Sequence, residues 1–331
     1  MNKRILTILG AAAIVVGACS SSATQAPSTA STDGGGGGSA DLPYISIVSK
    51  GFQHQFWQAV KKGAEDQAAT EGATVNFMGP DTESNVDQQL NMLQTELAKK
   101  PAALCFAALD SKAATPLLQQ FQDQGIPVIA FDSGVDSDIP LTTVATDNVA
   151  AAALAADKMA EALGGSGKVG VIIHDQTSRT GIDRSEGFVN EIKAKYPNIE
   201  IIGPQYGGGD QAKSADLAKA MIQANPDIKG FFGGNEGSII GVLNAVNELK
   251  MNGKITLVGY DSGQAQIDAI NAGTEMGAVQ QNPIGIGAKC VEYAMKAVNG
   301  DTGFDKNVDT GFIWADKSNI DSAEVQAVLY K

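Results

Sequence analysis

Six short polar and aromatic clusters each follow an apolar run in this chain: Lys50-Gly51-Phe52-Gln53-His54-Gln55-Phe56-Trp57, Asp132-Ser133, the stretch from Arg179 to Arg184, Asn235-Glu236, Tyr260-Asp261 and Gln280-Gln281. Aromatic rings beside planar, multidentate hydrogen-bonding groups match a polyhydroxylated ring, whose C–H faces stack and whose vicinal hydroxyls both donate and accept. A carboxylate accepts two hydrogen bonds, an amide donates and accepts, and a guanidinium donates in a fork. The candidate ligand-binding residues are therefore Lys50, His54, Phe56, Trp57, Asp132, Ser133, Arg184, Asn235, Tyr260, Asp261 and Gln281. Arg179 competes with Arg184 for one role. His174 reads as a structural imidazole, and Asp210 reads as a helix cap.

Catalytic readings find little support. The chain has 2 histidines and 3 cysteines, none at metal-ligand spacing, and Gly207-Gly208-Gly209 lacks the lysine and hydroxyl of a phosphate-binding loop. Asp132 and Asp261 could form the acid pair of a glycosidase only by facing each other across a sugar; turnover of an aryl glycoside would expose that activity. No metal and no cofactor is expected. A formal net charge of −13 argues against nucleic acid and against polybasic docking on anionic lipid.

The elements that must position these residues alternate regularly. Strand-like runs at Tyr44–Val48, Thr74–Phe77, Ala103–Phe106 and Pro127–Phe131 enclose helical spacings over Phe56–Glu71 and Val86–Lys99. The pattern repeats with strands at Lys168–Ile173, Glu200–Ile202, Gly230–Phe232, Thr256–Tyr260 and Met276–Val279. These alternate with helices near Gly181–Lys195, Ala212–Ala224, Ser238–Lys250 and Gln264–Ala272. A late helix over Ile284–Val298 and a strand around Asp309–Ile313 complete the series. Such alternation predicts an α/β protein of two doubly wound parallel-sheet lobes, with a ligand at the carboxyl ends of the strands between them. Cys105 and Cys290 lie in apolar surroundings and read as buried thiols, although spacing alone does not exclude a disulfide.

The chain starts with Lys3-Arg4, an apolar run from Ile5 to Val16, and Gly17-Ala18-Cys19. An apolar stretch this short behind positive charge is a secretory signal, not a membrane span. It resembles a bacterial lipoprotein signal, so residues 1–18 are expected to be removed and Cys19 lipidated. Residues 19–40, rich in Ser, Thr and Gly, read as a flexible tether on the outer face of the cell membrane.

The order of Ile45-Ser46-Ile47-Val48-Ser49, His54-Gln55-Phe56-Trp57, Ile126–Asp132, Thr146-Asp147-Asn148, Arg184–Phe188, Asn235-Glu236, Val258–Asp261 and Gln281 resembles the ribose-type sugar-binding proteins of bacterial ABC importers. The likeness runs from about residue 42 to 315. It implies a type 1 periplasmic-binding-protein fold with a three-segment hinge near Thr146-Asp147, Gln281-Asn282 and Asp309-Thr310. The implied lobes are 41–146 plus 282–309 and 147–281 plus 310–331. It also implies stacking by Phe56 and Trp57, hydroxyl recognition by Asp132, Arg184, Asn235, Asp261 and Gln281, an aromatic wall from Tyr260, and a monomer that closes on a monosaccharide and docks on a permease. Lys50 and His54 stand where ribose binders carry a small hydroxyl residue and an asparagine, and Ser133 stands where they carry an arginine. Ribose, fructose, another pentose or hexose, a sugar alcohol and a furanose-like signal all stay open. So does a second role, presenting the ligand to a chemoreceptor or sensor kinase.

Overall fold

The computed structural model describes residues 42–330; the signal, Cys19 and the whole tether lie outside the described residues. The first six-stranded sheet begins with β1 (Tyr44–Val48), α1 (Gln55–Glu71), β2 (Thr74–Met78), α2 (Val86–Lys99), β3 (Ala103–Phe106), α3 (Thr115–Asp123), β4 (Val128–Phe131) and β5 (Thr143–Ala145). The chain then crosses to a second sheet through α4 (Asn148–Leu163), β6 (Gly167–Ile173), α5 (Arg179–Lys195), β7 (Ile199–Tyr206), α6 (Gln211–Ala224), β8 (Ile228–Gly233), α7 (Glu236–Glu248), β9 (Thr256–Tyr260), α8 (Gln264–Ala272) and β10 (Gly277–Gln281). It returns through α9 (Pro283–Val298) to β11 (Asn307–Asp309), and crosses again to β12 (Phe312–Asp316) and α10 (Ala323–Gln326).

The first sheet runs β11-β5-β4-β3-β1-β2 and its pairings are all parallel. The second runs β12-β10-β9-β8-β6-β7 and is parallel except that β12 pairs antiparallel with β10. Central strands such as β3 and β4 are buried at every residue, as expected where helices cover both faces of a parallel sheet. The fold is thus two doubly wound lobes joined by three chain segments.

The expected strand around Asp309–Ile313 is a pair of strands in different sheets. Gly311, at φ 76°, turns the chain between them, a backbone region open to glycine at no steric cost. Four elements were not expected: β5 has three residues, α3 and α10 are short, and α4 buries mainly alanines (Ala151, Ala152, Ala155, Ala156 and Ala160). Alanine packs tightly but leaves a weak periodic signal.

Helix α9 returns to the first lobe and packs along α1. A Cβ on Gly63 would stand 2.0 Å from the Ile284 carbonyl oxygen, and one on Gly287 would stand 2.0 Å from that of Val60. The backbones approach because both positions are glycine. The same helix is tied to the first sheet by a disulfide from Cys105 on β3 to Cys290 on α9, with Cα atoms 6.2 Å apart, so these cysteines are not the free thiols that their apolar contexts suggested.

Candidate functional site

A narrow cavity of about 20 Å³ lies where the carboxyl ends of the two sheets face each other. That is far below the ~300–1,000 Å³ usual for small-molecule pockets, so the lobes must part to admit a ligand. The first lobe lines it with Lys50, His54, Phe56, Trp57, Glu83 and Asp132, and the second with His174, Thr180, Arg184, Asn235, Glu236, Asp261 and Gln281. Nine of the eleven residues expected from sequence are thereby brought together.

Two carboxylates define the site's poles. Asp132 follows β4 and Asp261 follows β9, and both have left-handed backbones, with φ of 55° and 78°. Such conformations are costly for non-glycine residues and concentrate at functional sites. Asp132 is 4% exposed and its side chain accepts no hydrogen bond from any described residue. Burial pushes its carboxyl up to about 6, against the opposing pull of the Lys50 and Arg184 cations. Asp261 is held more firmly: Gln281 Nε2 donates to Oδ1 at 2.6 Å and the Glu236 N–H donates to Oδ2 at 3.0 Å.

Arg184 reaches the cavity from α5. Its Nε donates to Asn148 Oδ1 at 2.8 Å, its Nη1 donates to the Gly234 carbonyl at 2.9 Å and lies 3.8 Å from Asp261 Oδ2. Its Cζ stands 3.8 Å from the centre of the Tyr260 ring, a cation–π arrangement. Tyr260 is therefore a support behind Arg184, not a wall of the cavity, and its hydroxyl donates to Asn148 Oδ1 at 3.0 Å. Ser133 is likewise absent from the lining; it is fully buried and its hydroxyl has no partner among the described residues. Arg179 is 38% exposed, pairs with Asp183 and Asp136, and lies on an outer groove. Among the two arginines, Arg184 is the one in the cavity.

Trp57 and Phe56 form an apolar wall, edge to face at 5.0 Å. The Trp57 indole Nε1 donates to Glu83 Oε1 at 2.6 Å. Burial raises the Glu83 carboxyl, but the neighbouring His54 imidazole, the Lys50 ammonium and the indole bond outweigh it, leaving the group below its ordinary value. Glu83 was not expected: it sits in Asp81-Thr82-Glu83-Ser84-Asn85, a stretch that reads as a loop before a helix. His174 also lines the cavity rather than being a satisfied core residue. Its Nε2 is 3.1 Å from Thr180 Oγ1, whereas Nδ1 has no partner among the described residues. Burial and the neighbouring Lys50 ammonium hold this imidazole well below its ordinary range, so it is neutral at neutral pH.

The lobes touch. Lys50 Nζ crosses the cleft to Thr180 Oγ1 at 3.0 Å and Ser178 Oγ at 3.3 Å, and the Ser111 N–H donates to the Thr177 carbonyl at 3.0 Å. This is a closed form, and its interior carries polar atoms without a partner among the described residues on Gln281 Oε1, His54 Nδ1 and His174 Nδ1. Each such atom costs about 1–3 kcal/mol if left unmatched, so the cavity demands a ligand dense in hydroxyls.

Two doubly wound lobes closing on a small polar cavity define a binding protein of the periplasmic type. A family model described as "Periplasmic binding protein domain" matches residues 45–302. The D-allose-binding periplasmic protein of Escherichia coli (strain K12) is 28% identical over 259 residues, which is 76% of this chain and 83% of that protein. An ABC transporter solute binding protein from Agrobacterium vitis with bound D-fucose is 32% identical, with a TM-score of 0.84 over 87% of this chain and 100% of that one. A second from Agrobacterium vitis, bound with alpha-D-tagatopyranose, is 31% identical, with a TM-score of 0.83 over 87% of this chain and 99% of that one. The chain belongs to the periplasmic binding protein family, in its sugar-binding group that serves ABC importers and is related to ribose- and allose-binding proteins. That family binds and delivers solutes outside the cytoplasm; its members are not enzymes.

Proposed function

We propose that this protein captures one neutral monosaccharide between its lobes and hands it to an ABC permease. The observation that carries this reading is Asp132: a buried, partnerless carboxylate on a left-handed strand end, in a cavity shared with Asp261, Arg184, Asn235 and Gln281. Phe56 and Trp57 supply the stacking face. Four carboxylates (Glu83, Asp132, Glu236 and Asp261) against two permanent cations, Lys50 and Arg184, disfavour sugar acids and sugar phosphates. Glu83, Lys50 and His54 supply polar groups beside those of the ribose pattern, which favours a hexose over ribose. The hexoses carried by the Agrobacterium vitis proteins, D-fucose and tagatose, are natural first candidates.

The reading extends to the whole chain: residues 1–18 as signal, Cys19 as the lipidated residue, 19–40 as tether, and a monomer with lobes 41–146 plus 282–309 and 147–281 plus 310–331. Calorimetric titration with D-fucose, D-tagatose, D-allose, D-ribose, D-fructose and their acids tests it. One tight neutral sugar with weak epimers is the expected result; tighter binding of an acid, or none of any sugar, overturns it. Metabolic labelling with a fatty acid, lost in Cys19→Ala, tests the anchor.

A further inference from the structure

The helices of the described chain divide by how their first N–H groups are satisfied. In α2, α4, α5, α6, α7 and α9 the residue before the helix caps it with its own side chain: Asn85, Asp147, Ser178, Asp210, Asn235 and Asn282. Helix α3 has no such cap but has a proline in its first turn, which removes a donor. Helices α1 and α8 have neither. His54 makes no capping bond to α1, and Gly263, which precedes α8, has no side chain to make one.

Both missing caps come from the opposite lobe. Glu236, the first residue of α7, accepts the Gln55 N–H and the Phe56 N–H of α1, each at 3.2 Å. In return Gln55, the first residue of α1, accepts the Gln264 N–H of α8 through Oε1 at 3.0 Å. Gln55 is thus donor to one second-lobe helix start and acceptor for another. A carboxylate at a helix N-terminus is favoured by both hydrogen bonding and the helix dipole.

We infer that Gln55 and Glu236 form a reciprocal cap exchange that stabilises the closed state. Each lobe carries a helix start whose cap resides on the other, so both helices are complete only when the lobes meet. Parting the lobes returns these N–H groups to water and sacrifices the exchange. The inference rests on the proposed closure around a sugar, but it assigns the free energy of closing partly to residues that do not select the sugar. Gln55 is exposed and does not line the cavity, so it is a positioning residue. Glu236 lines the cavity as well, which makes Gln55 the decisive one to test.

The test compares wild type, Gln55→Ala and Glu236→Gln in three measurements: sugar affinity with its rate constants, melting without sugar, and amide exchange. Loss of a helix cap corresponds to roughly 5-fold weaker binding. Gln55→Ala should weaken every bound sugar by about that factor without reordering them, through faster release and unchanged association. The sugar-free melting temperature should stay at the wild-type value. Exchange should quicken at Gln264 in Gln55→Ala, and at Gln55 and Phe56 in Glu236→Gln, each effect lying across the cleft from the altered side chain. Unchanged affinity in Gln55→Ala overturns the inference, as does an equal loss of melting temperature with and without sugar, which marks a merely structural role. If wild type binds none of the sugars, the proposed function falls and the inference with it; if wild type binds a sugar that Gln55→Ala binds equally well, the inference alone falls.

Discussion

Asp132 concentrates the residue-scale argument, because its buried carboxylate is the one acid of the cavity that accepts no hydrogen bond from the described protein. A sugar presenting two hydroxyls to it gains charge-assisted bonds of about 1.5–3 kcal/mol each. Asp132→Asn keeps the shape and loses the charge, so affinity should fall about 100-fold in a calorimetric titration, with the melting temperature of the sugar-free protein not lowered. The same carboxyl gives a pH dependence. In the empty cavity it sits at about 6, raised by burial, whereas donors from sugar hydroxyls favour its charged form. Below pH 6 binding must therefore expel a proton, and affinity should drop progressively, approaching tenfold per unit. Flat affinity from pH 7.5 to 4.5 would remove Asp132 from hydroxyl recognition. Asp132 and Asp261 were legible in the sequence because an acid ending an apolar strand stands out against its neighbours. Glu83, Thr180 and His174 were not: Glu83 lies in a loop without periodicity, Thr180 sits in the first turn of α5 between the more conspicuous Arg179 and Arg184, and a histidine at a strand end reads equally well as core.

At the scale of elements, the strand ends are held by groups that have no ligand role. Gln266 of α8 donates through Nε2 to the carbonyls of Tyr260 and Asp261 and to Glu275 Oε1, which fixes the turn carrying Asp261. Glu275 is 1% exposed, its Oε2 has no partner among the described residues, and burial raises its carboxyl to about 8. An acid whose folded value exceeds its unfolded one favours the fold fully below about 4.5, and that contribution is lost as pH rises through 8. Glu275→Gln keeps a neutral side chain at every pH. It should gain stability relative to wild type between pH 5 and 8.5, by on the order of a few kcal/mol, read as diverging urea midpoints. Parallel curves for the two proteins would show that Glu275 is charged in the fold. The alternation of elements was readable since most strands and helices have their own periodicity. The divided strand near residue 310 was not, because Gly311 carries no signal of which sheet each flank joins.

The whole molecule is governed by two kinds of connection: three chain crossings that let the lobes move, and a covalent one that does not cross between them. The disulfide joins Cys105 and Cys290, 185 residues apart, yet both ends sit in the core of the first lobe. The loop it closes contains the whole second sheet apart from β12. A cross-link bracketing that much chain restricts the unfolded ensemble, worth about 5 kcal/mol in the chain-entropy treatment. In the folded protein it fastens α9 to β3, on which the return of the chain depends, without spanning the cleft. Stability and binding should therefore separate. Replacing both cysteines, Cys105→Ala with Cys290→Ala, should lower the melting temperature by several degrees, while sugar affinity at 25 °C stays within about twofold, since no cavity residue or interlobe contact changes. A fall in affinity with unchanged melting would mean that the first lobe needs the cross-link to hold the strand end of Asp132 in place. An extracytoplasmic setting keeps such a bond oxidised, so the location that the family sets and the covalent frame of the first lobe are consistent with each other.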